Sequence, residues 1–234
     1  MGRTGPTTTK KSALTSDDWR GKFKVVYERD QCLPGAFFAV LTSADLLFGT
    51  KVTSVHTMGD LNKKLGYRKG AATPAEALEK PGFGRWLRGF GLEVHWERGS
   101  PKAYDNLEES TRRDDVSFSL VEVDLQFVLD YDPNTTVTGS SFPSDHAIVV
   151  LKIANGEVEF FDPTFNSAAV ANVKTKQVVS TVQLVKRWSE CKDPYYRVWV
   201  TRPSSFTAKK MRREGLRGVP PLSRWRQKGG GVKL

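Results

Sequence analysis

The sequence contains no long run of apolar residues. None of its hydrophobic stretches reaches the roughly 20 residues that a helix needs to cross a bilayer. Its first residues are mainly Gly, Thr, Lys and Ser, which differ from the apolar segment of a secretory signal. We therefore expect a soluble, intracellular protein that does not insert into membranes.

Cysteine is scarce as well. The 234 residues include only Cys32 and Cys191, which cannot form a disulfide framework. The three histidines are scattered and do not combine with these cysteines into a spacing typical of zinc sites. The sequence therefore predicts a reducing compartment, and it implies neither a metal nor another cofactor.

Acidic residues are almost missing from the C-terminal end. The net charge is +10, and the last 32 residues contain nine Lys or Arg against the single Glu214. This composition is typical of a solubilising tail, and equally of a segment that binds RNA, an acidic protein or an import receptor. The candidates for nucleic-acid binding are Lys209, Lys210, Arg212, Arg213, Arg224 and Arg226.

Length and apolar content predict one folded domain between two polar ends. Hydrophobic residues make up 38% of the chain, enough for a substantial core. Residues 1–15 are rich in Gly, Thr, Ser and Lys and predict a flexible arm. Residues 16–202 form the predicted domain, and residues 203–234 form the basic tail.

A buried helix is predicted directly after Cys32. Residues 36–48 are apolar nearly all round, which is typical of a central helix. Pro34 falls in the first turn, where proline is tolerated, and Gly49 is a suitable stop. Residues 51–100 predict a helical lobe with a short strand near Val52–Val55, whereas residues 116–131 suit a strand, a helix or one of each.

A hairpin is predicted to bring a histidine and an aspartate together. His146 opens the apolar run of residues 147–151, and Asn155-Gly156 is a strong turn signal before the next apolar run. Asp162 follows His146 by 16 residues, so antiparallel pairing returns it beside the histidine. A histidine or an aspartate at such a place is commonly structural when it occurs alone. Together, His146 suits the role of a general base and Asp162 that of the carboxylate that orients it.

Cys32 completes a candidate catalytic set. A cysteine at the start of a helix lies near unpaired N–H groups and the positive end of the helix dipole, which stabilise a thiolate. The alternative interpretation is that Cys32 is only a small buried apolar residue. Catalysis is favoured by the combination and order of the three residues. The cysteine begins a helix, the histidine begins a strand, and the aspartate is brought back to the histidine by the hairpin.

Three short motifs resemble the papain-like superfamily of cysteine peptidases. They are Asp-Gln-Cys-Leu-Pro-Gly-Ala-Phe-Phe-Ala-Val-Leu from residue 30, Asp-His-Ala-Ile-Val-Val-Leu from residue 145, and Phe-Phe-Asp-Pro-Thr from residue 160. The cysteine and histidine neighbourhoods resemble picornaviral leader peptidases, and the histidine-to-aspartate pattern resembles the peptidase domains of double-glycine bacteriocin exporters. The last two motifs are also similar to transglutaminase-like proteins.

The resemblance implies an α+β, papain-like fold in which the nucleophile helix of a helical lobe packs on an antiparallel sheet. It implies that the Cys32 thiolate attacks an acyl carbonyl, that His146 transfers the proton and that Asp162 orients His146. Peptidases of this type usually have Gln or Asn five or six residues before the cysteine, where this chain has Tyr27 and Val26. Gln31 is the nearest amide and becomes the oxyanion candidate, and the Cys32 backbone N–H is another donor.

Several functions remain open on this sequence. The favoured one is thiol-dependent hydrolysis of a peptide or isopeptide bond in a protein or peptide substrate, including self-processing of the viral leader type in a host cell. One alternative is a non-catalytic papain-like module whose basic ends bind RNA or a larger assembly. Another is transglutaminase-like acyl transfer to an amine.

Overall fold

A computed structural model describes residues 8–23, 31–68, 73–100, 102–131, 145–163 and 177–203 of the chain. The helices are α1 (Ser16–Lys22), α2 (Cys32–Phe48), α3 (Val52–Val55), α4 (Met58–Leu65), α5 (Glu76–Glu79), α6 (Pro81–Arg88), α7 (Ala103–Arg112), α8 (Gln126–Tyr131) and α9 (Thr181–Glu190). The strands are β1 (Glu93–Glu97), β2 (Ser119–Asp124), β3 (Asp145–Ala154), β4 (Glu157–Phe161), β5 (Val178–Ser180) and β6 (Arg197–Thr201). Within these ranges, no helix is long and apolar enough to cross a membrane.

The central helix α2 forms as the sequence predicts. Pro34 lies in its first turn, and Gly49 ends it with a left-handed φ of 67°, a conformation that glycine adopts without steric cost. Most of its side chains are buried, including Phe37 and Val40, which are fully inaccessible. The helix is therefore held by packing on all sides rather than by a polar outer face.

The six strands form one antiparallel sheet in the order β1-β6-β2-β3-β4-β5. Strands β3 and β4 are joined by Asn155 and Gly156, whose φ angles of 54° and 77° are those of a hairpin turn with both central residues left-handed. The predicted hairpin is thus present. The hairpin places the beginning of β3 next to the end of β4.

Both faces of the sheet are covered by helices. On one face, Ala147 and Val149 pack in a core with α2 and the following helical lobe. On the other face, Ile148 and Val150 pack in a second core with α7, α8 and α9. The burial of β3 on both faces explains its unbroken apolar run. The predicted α+β fold, with the helix that begins at Cys32 packed on an antiparallel sheet, is confirmed.

The short strand predicted near Val52–Val55 is wrong. These residues form helix α3, because Asp45 at the end of α2 accepts hydrogen bonds from the backbone N–H groups of Val52 and Thr53 at 2.9 and 2.7 Å. A side chain from a neighbouring helix therefore caps this turn and overrides the preference of valine for strands. The ambiguous residues 116–131 contain one strand, β2, and one helix, α8.

Residues 8–15, the described part of the arm predicted for residues 1–15, contact the domain. Residues Lys11–Ala13 form a 3-10 helix, and Lys11 is buried. Its Nζ donates hydrogen bonds to the backbone carbonyls of Ser110 and Ser117 at 2.6 and 3.2 Å. These bonds attach the segment to the domain, which the polar composition did not indicate.

Candidate active site

The first component of the site is the thiol at the start of α2. Cys32 is the first residue of this helix, and the carbonyl of Gln31 accepts the N–H of Gly35 at 2.9 Å in the first turn. Cys32 is half-buried and lines a cleft in the surface. Its sulfur is therefore both reachable from solvent and close to the positive end of the longest helix described.

The second component is a pair formed across the β3–β4 hairpin. His146 is the second residue of β3, and its Nε2 lies 2.8 Å from Oδ2 of Asp162, which directly follows β4. A carboxylate only accepts hydrogen bonds, so Nε2 carries the proton and donates it to Asp162. This assignment leaves Nδ1 as the ring nitrogen that does not bond to Asp162.

Two further residues hold Asp162 in position. The Tyr131 hydroxyl donates a hydrogen bond to Oδ2 of Asp162 at 2.5 Å, and the backbone N–H of Asp162 donates to Oε1 of Gln177 at 3.0 Å. Asp162 is fully buried. Tyr131 and Gln177 were not identified from the sequence, because neither lies near the triad motifs and only the folded chain brings them together.

The surroundings of His146 favour its charged form. Burial by itself disfavours the imidazolium, but the charge of Asp162, its hydrogen bond, and the hydrogen bond and charge of the Cys32 thiol together outweigh burial. They raise the pKa of His146 to about 10. The arrangement can therefore keep an imidazolium next to the Cys32 thiol at neutral pH.

The oxyanion candidate Gln31 lies beside the nucleophile but is buried. Its Oε1 accepts a hydrogen bond from Nδ2 of Asn62 in α4 at 3.1 Å. Gln31 is not among the described residues that line the cleft. Val26 and Tyr27 lie outside the described residues. The role of Gln31 in the oxyanion hole stays a prediction, with the Cys32 backbone N–H as the other candidate donor.

The cleft beside the thiol has a volume of about 220 Å³. Its walls come from the start of α2, the segment around α5, strands β2 and β3, and the turn after α9. The described residues that line it are Cys32, Leu33, Thr73, Pro74, Ala75, Glu76, Glu122, Asp145, His146, Ala147, Lys192 and Asp193. Cys32 and His146 thus share one cleft, whereas Asp162 lies behind His146.

The remaining cysteine and histidines have structural surroundings. The buried Cys191 thiol donates to the carbonyls of Trp188 and Asp193, both at 3.1 Å. His56 packs edge-on against aromatic rings, and His95 bonds to the Thr201 hydroxyl at 2.8 Å. Among the residues that the structure describes, no cluster of His, Cys, Asp or Glu could hold a metal ion. The six basic candidates of the tail lie outside the described ranges.

Comparisons with known proteins find solved structures that are similar to this one, but no similar sequence. No protein-family profile and no curated protein matches the chain. The structure is similar to the peptidase domain of Streptococcus ComA, described as a bifunctional ABC transporter involved in quorum sensing. That similarity has 16% identity, a TM-score of 0.45, and coverage of 77% of this chain and 99% of that domain.

A second similarity is to a C39-like peptidase from Bacillus anthracis. It has 11% identity and a TM-score of 0.35, and it covers 53% of this chain and 59% of the other. Both neighbours are named as peptidases.

Proposed function

We propose that the protein is a cysteine peptidase that hydrolyses a peptide or isopeptide bond with Cys32, His146 and Asp162. The observation that carries the proposal is the position of His146. Its ring hydrogen-bonds to Asp162 on one side and interacts with the Cys32 thiol on the other, at the wall of an open cleft. Each group has the partner that its role requires.

The first half of the reaction forms an acyl-enzyme. The Cys32 thiolate attacks the substrate carbonyl carbon, and the carbonyl electrons move to the oxygen. Collapse of this tetrahedral adduct breaks the C–N bond, and His146 transfers its Nδ1 proton to the leaving amine. The product is a thioester on Cys32 and a free amine.

The second half releases the acyl group. Neutral His146 removes a proton from water as the water oxygen attacks the thioester carbonyl. Collapse of this second tetrahedral adduct breaks the C–S bond, releases the carboxylic acid and restores the Cys32 thiolate beside the His146 imidazolium. Asp162 keeps its negative charge throughout and stabilises the imidazolium in both halves. With an amine in place of water, the same intermediate would give acyl transfer.

The test is a profile of cleaved peptides from the full-length protein. Incubation with a proteome-derived peptide library, followed by mass spectrometry, should yield new termini with wild type. Cys32→Ala should yield none, because no nucleophile remains. Cys191→Ala is the matched control: it removes the other thiol, which lies outside the cleft, and should keep the cleavage profile.

Three results would contradict the proposal. Cleavage that persists in Cys32→Ala would place the reactive group elsewhere. No cleavage, with an iodoacetamide-unreactive Cys32, would favour the non-catalytic module. Products joined to an added amine rather than hydrolysed would favour acyl transfer.

A further inference from the structure

The cleft beside Cys32 and His146 is strongly acidic, although the chain as a whole is basic. Its described lining contains four carboxylate side chains and one amine, Lys192. The four are Glu76, Glu122, Asp145 and Asp193. Solvated acids are common on protein surfaces, so the cluster by itself does not indicate a ligand.

Glu122 differs from the others because it is buried and has no hydrogen-bond or ion-pair partner within the part of the chain that the structure describes. It lies on β2, opposite Ala147 in the register, and Ala147 lines the cleft as well. Only 8% of Glu122 is exposed. Among the described residues, no group donates a hydrogen bond to its carboxylate and no cation pairs with it.

Neighbouring groups make a charged Glu122 still less favourable. Burial, and then the charges of Asp145, Asp193 and Glu76, raise its pKa to about 8, while Lys192 offsets this only in part. Glu122 lines the cleft together with these three acids. A buried acid without a partner costs folding free energy and therefore calls for an explanation.

The other two partly buried acids already have partners. Asp145 accepts the backbone N–H of Lys192 at 2.9 Å, and Asp193 pairs with Arg98 at 3.4 Å. Glu76 is exposed to solvent. Glu122 is therefore the cleft acid that is both buried and without a hydrogen-bond or ion-pair partner among the described residues.

We propose that Glu122 is a specificity-determining residue that binds the cationic side chain of a substrate Lys or Arg close to the scissile bond. The inference rests on the proposed peptidase function. Because Cys32 and His146 form part of the cleft wall, a side chain that fills the cleft belongs to a residue near the attacked carbonyl. The volume of about 220 Å³ is below the roughly 300–1,000 Å³ of drug-sized sites and suits one long side chain.

The experiment uses irreversible peptidyl acyloxymethyl ketones on the full-length protein. Four probe sets differ only in carrying Arg, Lys, norleucine or Glu at one of the two positions next to the reactive group. The rate of Cys32 modification is followed by intact mass. Wild type should react about tenfold to 100-fold faster with the best Arg or Lys probe than with the matching norleucine probe, as expected for a charge-assisted hydrogen bond.

Glu122→Gln should reduce this cationic preference to less than about threefold, because the amide has no charge to pair. Its melting temperature should rise, since the buried unpaired acid is removed. Glu157→Gln is the matched control. It neutralises an exposed acid on β4, outside the cleft lining, and should keep both the preference and the melting temperature of wild type.

The outcomes separate the two proposals. Equal rates for Arg and norleucine probes in wild type, or an unchanged preference in Glu122→Gln, would overturn the specificity inference while Cys32 labelling still supports a reactive thiol. If Glu122→Gln raises the melting temperature but keeps the preference for Arg and Lys probes, Glu122 destabilises the fold and does not select the substrate. Failure of every probe to modify Cys32 would count against the peptidase function and remove the inference with it.

Discussion

Among single residues, His146 depends most on its neighbours. It is almost fully buried, and burial without partners would keep its ring neutral. The charge of Asp162 is the largest effect that opposes burial. Tyr131 and Gln177 act on His146 through Asp162, because they bond to its carboxylate and its backbone N–H. They are therefore positioning residues.

The first prediction concerns the pH dependence of Asp162→Asn. The pKa of His146 is raised from 6.5 to about 10, so the imidazolium that protonates the leaving amine persists above pH 6.5 and is lost as the pH rises through about 10. Asparagine removes the charge that stabilises it. The alkaline limb of peptide hydrolysis should move down by about 1–3 pH units, and kcat/KM should fall about 10²–10⁴-fold.

A pH–rate profile on one cleaved peptide measures both changes. Tyr131→Phe is the control that removes a hydrogen bond to Asp162 but leaves its charge, so its alkaline limb should stay near that of wild type. An alkaline limb that is the same in Asp162→Asn and wild type would show that the carboxylate does not set the titration of His146.

The sequence predicts the triad better than it predicts the groups around it. Cys32, His146 and Asp162 could be proposed together because a helix start and a hairpin register are local signals. No such local signal predicts the burial of Glu122. It interrupts a run of apolar residues in β2, and a charged residue at such a place is expected to face solvent. Its burial depends on α5 and the turn after α9, which are distant in sequence.

At the scale of elements, the β3–β4 hairpin positions the chemistry. The turn at Asn155 and Gly156 fixes the pairing of the two strands, and the pairing brings His146 beside Asp162. A β-bulge between Val150 and Lys152 shifts the register along the way. The local turn signal therefore predicts the pairing partner, although it does not predict the bulge.

The second prediction is that Gly156→Ala destabilises the fold. The φ of 77° is left-handed, and a methyl group there would meet no atom within 4 Å, so the cost comes from the backbone alone. We expect the free energy of unfolding to fall by about 1–2 kcal/mol in urea titrations. Labelling of Cys32 under native conditions should stay as in wild type, because the turn lies at the far end of both strands.

Gly21→Ala provides the matched comparison. Gly21 lies in helix α1 with equal free space around it but without a left-handed φ, so the same substitution should stabilise by roughly 0.5–1 kcal/mol. A destabilisation of equal size at both positions would show that the loss is not due to the turn conformation.

Helix α3 shows where local preference fails. Two valines in four residues favour a strand, yet hydrogen bonds to Asp45 fix a helical turn. Asp45 belongs to the preceding helix, and its carboxylate can be assigned to this role only when the direction in which the chain leaves α2 is known. Sequence periodicity carries no such information.

For the whole molecule, the main feature is the contrast between an acidic cleft and a basic chain. The acidic cleft lies in a chain of net charge +10, and nine of the basic residues belong to the last 32. The RNA-binding role of the tail stays a prediction. It is independent of the peptidase function, so each can fail without the other.

The third prediction is that deletion of residues 207–234 weakens binding to a single-stranded RNA oligonucleotide. The deletion removes nine basic residues and one acid. The dependence of log Kd on log salt should become flatter, since fewer counterions are released on binding. Fluorescence anisotropy at several salt concentrations measures the slope, and peptide cleavage by the truncated chain serves as the control for folding. A salt slope equal to that of the full chain would exclude the tail from RNA binding.

The sheet order also has a consequence for folding during synthesis. Strand β6, made of residues 197–201, lies between β1 and β2 and pairs with both. During synthesis, Cys32, His146 and Asp162 all leave the ribosome before this strand does. The sheet can therefore be completed only after nearly all of residues 16–202 have emerged.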